Sequence, residues 1–475
     1  MKTLVGRENE ISILKEALLS DESEMVAVVG RRRVGKTFLI QSIYQKHINF
    51  EITGSQNASL KEQLINFTHQ LQLFSKSTIA VSPPASWTEA FHQLSTFLES
   101  KKYKQKKVIF IDELPWLASH KSNFLSALAY FWNNWATKRN IVMVICGSAA
   151  SWMIEKVVHN KGGLHNRITK LISLQPFTLA ETRDYLLSRK VNLNLYQIAQ
   201  LYMVMGGIPH YLKEIAPGKS AAQNIDSICF SSNGLLRDEF LKLYPSLFDK
   251  ASNHISIIRA IASKWKGISR KEILDISKMP DGGSITKYLR ELSQSGFISN
   301  YLPFGKKKKE TLYRLTDEYS LFYLKFIEKM RKQTWNNLSQ LPKWKNWNGY
   351  AFENLCLKHN LEIKNALGIS GVYSEESSYF YKGDVDSSGF QVDLLIDRQD
   401  QVINLCEIKF AEAEFSIDKA YAKKLRERVA LFKEKTRTRK NIFLTFISSY
   451  GVKPNINSIG LIENEITLAA LFTKL

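Results

Sequence analysis

The chain alternates short, almost wholly apolar runs with longer stretches in which apolar residues recur at helical spacing. Met25–Val29, Val108–Ile111 and Ile141–Cys146 are the clearest runs. Short runs that are apolar on both alternating faces predict strands buried on both sides, as in a parallel sheet covered by helices. The intervening stretches predict those helices, so the first part of the chain reads as α/β, with ligand expected at the C-terminal ends of the strands. Further along, the pattern changes. Ile255-Ser-Ile-Ile-Arg-Ala-Ile-Ala262 predicts an amphipathic helix, and Ser269-Arg-Lys-Glu272 is a capping box that opens a second. Asp281–Leu292 predicts a third helix, ending near Gly296. Phe297–Phe304 and Thr311–Leu315 alternate like two strands around Gly305-Lys-Lys-Lys-Lys309. Three helices followed by a basic hairpin describe a winged helix-turn-helix. Lys343-Trp-Lys-Asn-Trp-Asn-Gly349 reads as a linker before a helix over Gly349–Cys356. Two strands follow, Gly389–Asp397 and Val402–Phe410, with a turn between them that makes a hairpin.

A chain of 475 residues exceeds what one hydrophobic core serves, which predicts about three or four domains. No stretch approaches the ~18 uncharged apolar residues that a spanning helix requires, so no membrane partner is expected. The start, Met1 to Glu8, turns polar too early for a signal-peptide core. Cys146, Cys229, Cys356 and Cys406 are far apart and form no C-x-x-C pair. They read as buried thiols in a reducing compartment, and the protein as cytoplasmic. The net charge of +21 is more informative, because residues 251–345 hold 19 Lys/Arg against 8 Asp/Glu. A basic surplus this concentrated points to a polyanion, nucleic acid ahead of membrane, although a solubilising face is the plainer alternative.

Candidate chemistry begins behind the first run. Gly30-Arg-Arg-Arg-Val-Gly35-Lys36-Thr37 places two glycines, a lysine and a hydroxyl between a buried strand and a helical pattern. This is the setting of a phosphate-binding P-loop, where the glycines let backbone N–H groups face the β-phosphate. Lys36 is placed to reach the β- and γ-phosphates and Thr37 to ligate Mg²⁺. The second run ends in Asp112 and Glu113, suited to holding Mg²⁺ and to polarising the attacking water. The third ends at Ser148, a small polar residue where a side chain can sense the γ-phosphate.

Over residues 4–211 the chain resembles the archaeal and bacterial predicted ATPases of the AAA+/STAND P-loop class. The resemblance lies in Leu4-Val-Gly-Arg-Glu-Asn-Glu10, the P-loop, Phe110-Ile-Asp-Glu-Leu-Pro115 and Cys146-Gly-Ser148. It continues in Leu164-x-x-Arg167, Leu174-x-Pro-Phe177 and Gly206-Gly-Ile-Pro-x-Tyr211. It implies that Val5, Gly6 and Arg7 pack near adenine and that a helical lid follows residue 180 or so. It also makes Arg167 a candidate sensor or arginine finger. Arginine within the loop is common in that family, so Arg33 is expected to add phosphate-side charge. ATP over GTP rests on this resemblance and on the lack of an N-K-x-D guanine motif. The expected domains are therefore a P-loop ATPase core over 1–180, a helical lid over 181–250, a winged helix-turn-helix over 251–330 and a C-terminal domain over 340–475.

In a winged helix the third helix enters the major groove and the wing touches phosphates. Lys287 and Arg290 would be the helix contacts, and Lys306, Lys307, Lys308 and Lys309 the wing contacts; packing without DNA is the plainer alternative. In the last domain, Glu407 and Lys409 are two apart on a strand and project from one face, and Asp393 lies on the partner strand. This set resembles the PD-(D/E)xK nuclease core of the restriction-endonuclease-like α/β fold. The resemblance implies that Asp393, Glu407 and the Ile408 carbonyl hold Mg²⁺, that Lys409 orients water and that Glu353 completes the acidic cluster. Gln391-Val-Asp393 stands where the family often has Pro-Asp, and Tyr421 reads as a packing residue. Two whole-protein readings follow. One is an ATP-driven DNA enzyme with a C-terminal nuclease. The other is an ATP-dependent DNA- or protein-binding switch whose nuclease-like domain does not cleave. A homo-oligomer is required only if Arg167 acts in trans.

Overall fold

The computed structural model describes residues 4–76, 82–100, 105–119, 121–159, 161–329, 342–384 and 388–474. The first residues, and the expected boundary between the third and fourth domains at 330–340, lie outside them. The chain divides into two compact units, Met1–Pro176 and Phe177–Leu475.

The first unit is built on five strands: β1 (Glu24–Val29), β2 (Ile48–Thr53), β3 (Lys107–Asp112), β4 (Ile141–Gly147) and β5 (Lys170–Ser173). They pair in the order β2-β3-β4-β1-β5, and every pairing is parallel. The expected parallel sheet is present. β1, β3 and β4 are buried almost throughout, as strands with both faces covered must be. Phe67, Trp87, Phe91, Phe124, Phe131 and Trp132 pack with these strands into one core. β4 begins only at Ile141 because Asn140 sits at φ 50°, outside the extended region. The strand ends at Gly147, so Ser148 lies just past its C-terminal end, where side chains of a parallel sheet meet a ligand.

The second unit opens with helices, Leu179–Ser188 and Leu195–Met205 the longest before residue 251. Next comes a three-helix module: Ala251–Ala262, Arg270–Ser277, whose capping box is Ser269 with Glu272, and Gly283–Gln294. Its small antiparallel sheet has the order β6-β8-β7, from β6 (Ile268–Ser269), β7 (Ile298–Tyr301) and β8 (Leu312–Leu315). Gly296 at φ 73° ends the third helix, as its sequence position suggested.

The expected linker is not one. A helix runs from Pro342 to Lys358, and Trp344 and Trp347 are buried on it. Trp347 packs edge-on against Phe326, with ring centroids 5.7 Å apart. Tryptophans three apart share one helix face, so these residues form a helix that docks. The C-terminal sheet follows, in the order β13-β12-β11-β10-β9. β9 (Ser374–Gly383), β10 (Ser388–Arg398) and β11 (Val402–Lys409) are antiparallel, and β11, β12 (Asn441–Ser448) and β13 (Asn464–Thr467) are parallel. The helix Lys419–Thr436 makes the crossover that the parallel pair β11–β12 needs.

Candidate functional site

After β1 the chain turns through Gly30 at φ 154°, Arg33 at 74° and Gly35 at 95°, then enters the helix Lys36–Tyr44. A Cβ on Gly30 would stand 2.4 Å from the carbonyl oxygen of Leu174, so glycine is needed there for space as well as for φ. Lys36 is buried, and its Nζ donates to the carbonyls of Gly30 at 2.9 Å and Arg31 at 3.1 Å and to Ser148 Oγ at 2.9 Å. Burial pushes its pKa below the ordinary lysine value, against the pull of the Glu113 carboxylate. Carbonyls and a hydroxyl are weak partners for an ammonium ion, and a phosphate is a stronger one.

Thr37 Oγ1 donates to Asp112 Oδ2 at 2.6 Å. Burial raises the pKa of Asp112, with the Thr37 hydrogen bond opposing. Glu113 takes φ 46°, which turns it out of line with β3. It accepts from Ser148 Oγ at 2.5 Å and from the Ser148 N–H at 3.1 Å. The Ser148 hydroxyl thus accepts from Lys36 and donates to Glu113. A lysine, a serine and a glutamate from three separate segments form one hydrogen-bonded chain. Thr37 and Asp112 form an oxygen pair suited to a hard cation such as Mg²⁺.

The other expected residues are placed less tellingly. Gly6 and Arg7 take φ 64° and 68°, leading into the helix Glu8–Leu19; Arg7 is buried, with Nη1 3.7 Å from Glu10. Val5 is half-buried beside them. Arg167 is exposed between β4 and β5. Among the described residues no hydrogen bond or ion pair ties its guanidinium to the chain of Lys36, Ser148 and Glu113.

A parallel sheet with a glycine-bounded loop after β1, a buried lysine at the loop's end and an acidic pair closing β3 defines a P-loop ATPase. Residues 4–215 match the model of a family described as an ATPase domain predominantly from Archaea. The chain is 22% identical over 426 residues to MJECL04, an uncharacterised protein of Methanocaldococcus jannaschii, covering 86% of this chain and 88% of that one. The fold is similar to that of the Walker-type ATPase PABY2304 of Pyrococcus abyssi: TM-score 0.51, 16% identity, 68% of this chain and 96% of that chain. No helix among the described residues is long and apolar enough to cross a membrane.

The second unit holds a separate polar cluster. Leu394 pairs with Cys406 in the antiparallel ladder, and Asp393 and Glu407, the residues next to that pair, line one cleft. Gln391 Nε2 donates to Asp393 Oδ1 at 2.6 Å. Glu407 meets Lys409 Nζ at 2.6 Å and Arg428 Nη1 at 3.1 Å, and accepts from the Tyr421 hydroxyl. Burial pushes Glu407 upward, but Lys409 and its other partners pull it below the ordinary carboxylate value. Burial lowers Lys409, and Glu407 more than reverses this, leaving its pKa above the ordinary lysine value. Glu353, on the helix Pro342–Lys358, is pushed up to about 8 by burial and by Asp393 beside it. The Glu353 and Asp393 carboxyls lie within hydrogen-bonding reach of each other. Ile408 sits between Glu407 and Lys409 with its side chain buried.

Three partners were not anticipated. Tyr421, expected only to pack, donates to Glu407, and Arg428 bonds the other oxygen. They lie seven apart on one helix, two turns along the same face, a spacing visible in the sequence once Glu407 is taken as the target. Arg314 had no such signal. It lies on β8 of the three-helix module, 2% exposed, and among the described residues its Nε and Nη1 have no hydrogen-bond partner. Its guanidinium stands 5.0 Å over the Tyr301 ring. Burial lowers its pKa, but Tyr350, Tyr301, Asp393 and Glu353 together hold it above the ordinary arginine value. Among the described residues no three His, Cys, Asp or Glu side chains converge as a metal cluster.

Of the expected DNA contacts, Lys287, Arg290 and Lys306 to Lys309 are all exposed. Lys287 lies 3.7 Å from Glu291 and Lys306 3.3 Å from Glu310, so part of that charge is offset locally.

Proposed function

We propose that this ATPase is Mg²⁺-dependent and acts on DNA, with the three-helix module as a winged-helix DNA contact and the C-terminal domain as a PD-(D/E)xK-like nuclease. The observation that carries the reading is the contact of Thr37 with Asp112 beside the chain of Lys36, Ser148 and Glu113. Lys36 would exchange its carbonyl partners for the β- and γ-phosphates, and Thr37 and Asp112 would hold the cation. Bound Mg²⁺ would neutralise charge that develops on the phosphates. Glu113 would release Ser148, accept a hydrogen bond from the attacking water and take its proton as the γ-phosphate leaves. Arg33 and Arg167 would add positive charge, and Val5, Gly6 and Arg7 would flank the base.

In the C-terminal domain, Asp393, Glu407 and the Ile408 carbonyl supply hard oxygen donors of the kind that hold Mg²⁺, with Glu353 beside them and Lys409 placed for water. A second reading has its own support. Both oxygens of Glu407 are engaged by Lys409, Tyr421 and Arg428. Such a network suits a domain that binds DNA or protein without cutting.

The test is cleavage of plasmid and single-stranded DNA with Mg²⁺ or Mn²⁺, with and without ATP, by wild type, Asp393→Ala and Lys36→Ala. Wild-type cleavage that is lost in Asp393→Ala supports the nuclease. No cleavage from protein that hydrolyses ATP supports the switch. Lys36→Ala that still binds and turns over ATP normally would overturn the nucleotide-site reading.

A further inference from the structure

Asp393 and Glu407 stand in a cleft of about 990 Å³ to which both the three-helix module and the C-terminal sheet contribute. Its walls carry more than the groups a hydrolytic site needs. Lys266, between the helix Ala251–Ala262 and β6, Lys345, on the helix Pro342–Lys358, and Lys382, at the end of β9, are exposed lining residues. None is in the third helix or the wing. They present cations from three separate elements around one concave surface, which is what a flexible polyanion requires.

The informative residue is Phe380. It lies in β9 between Tyr379, which is buried in the core, and half-buried Tyr381, yet it is 49% exposed. Its register partner is Gln391, the residue that donates to Asp393. Directly paired residues share a face of the sheet, so the Phe380 ring lies on the face of Asp393 and not on that of the core. The core packed around Tyr379, Phe390 and Phe432 does not include it. Trp265, half-buried, also lines the cleft, edge-on to Tyr350 at 4.4 Å and with Lys325 Nζ 4.5 Å from its ring centroid.

We propose that this cleft binds an unpaired nucleic-acid strand, with a base stacked on Phe380 and phosphates on Lys266, Lys345 and Lys382. A duplex stacks its bases on one another and offers only their edges, so a ring on the cleft wall has nothing to stack against. An unpaired base offers its whole face, and such stacking contributes about 1–3 kcal/mol. The proposal rests on the nuclease-like reading only for the fate of the strand, not for its binding.

The experiment is fluorescence anisotropy with the full chain in EDTA, using labelled oligo(dT), oligo(U) and a duplex of equal length. All three can bind, the duplex through the wing, but only the oligonucleotides are expected to depend on Phe380. Phe380→Ala should weaken them about tenfold, Phe380→Tyr should restore binding, and ATP turnover should be unchanged in both. Preference for oligo(dT) or for oligo(U) then assigns DNA or RNA as the source of the strand. Wild-type affinity for the oligonucleotides in Phe380→Ala, or an equal loss of duplex affinity in that variant, overturns the proposal. The same proteins are then given Mn²⁺. Strand binding that depends on Phe380 without cleavage leaves this inference standing and defeats the nuclease. Cleavage with binding indifferent to Phe380 does the reverse.

Discussion

Ser148 shows how much one hydroxyl can organise. It accepts from Lys36 and donates to Glu113, so the lysine that meets phosphate and the acid that meets water share an intermediary. Glu113→Gln keeps the size and an acceptor oxygen but removes the basic carboxylate. It is expected to lower kcat for ATP by about 100-fold or more while nucleotide affinity changes little. Phosphate release beside equilibrium nucleotide binding checks this, and parallel loss of both would mean that Glu113 holds the loop and does not act on water. Lys36, Thr37, Asp112 and Ser148 were nameable from the chain because each sits at the end of an apolar run or in a contiguous loop. Arg314 was not, since nothing local distinguishes an arginine in a short strand of another module.

At the level of elements, helix contacts set the pH response. His359, just past the helix Pro342–Lys358, is 2% exposed and accepts the Leu179 N–H at Nε2, 3.2 Å away. Its Nδ1 lies 2.8 Å from the Leu355 carbonyl and donates to it, so the neutral ring satisfies both partners. Burial pushes its pKa down to about 4 from an ordinary value of 6.5. A depressed histidine contributes stability that is fully present above 6.5 and is lost as pH falls through the folded value. Between pH 7 and 4 the wild type should lose on the order of 3 kcal/mol more stability than His359→Gln, as read by urea unfolding of the two proteins. Equal losses would show that the ring is not held neutral. The Gly206-Gly207 turn also acts at this level. A Cβ on Gly207 would lie 1.9 Å from the Phe177 carbonyl oxygen, a closeness no local pattern reveals. The helix misread as a linker failed for a related reason: its lysines and asparagines look solvated until Trp344 and Trp347 find Phe326 and its neighbours.

For the whole molecule, the charge of +21 leaves polyanion binding as the property to measure. If the wing meets DNA phosphates, replacing Lys306 to Lys309 by alanine should reduce the slope of log affinity against log salt by about three. Lys306, already beside Glu310, is expected to contribute least. Duplex binding measured across a salt series decides this, and an unchanged slope would remove the wing from the interface. ATP turnover without DNA should be unaffected.

The sequence by itself determined the parallel sheet, the P-loop and the acidic pair that closes β3, because apolar run, glycine turn and helix start are contiguous and each follows from local chemistry. It also determined the hairpin of β10 and β11, where alternation and a four-residue turn place Asp393 near Glu407. The tertiary structure alone decided which distant groups bond within these sets: the hydrogen bonds of Ser148 to Lys36 and Glu113, Tyr421 and Arg428 on Glu407, and Arg314 beside the carboxylates. It also left Phe380 on the wall of a cleft. Those contacts join elements that share no sequence neighbourhood, and they exist because packing of apolar faces brings the elements together. The polar groups on those elements then take whatever partners that packing supplies.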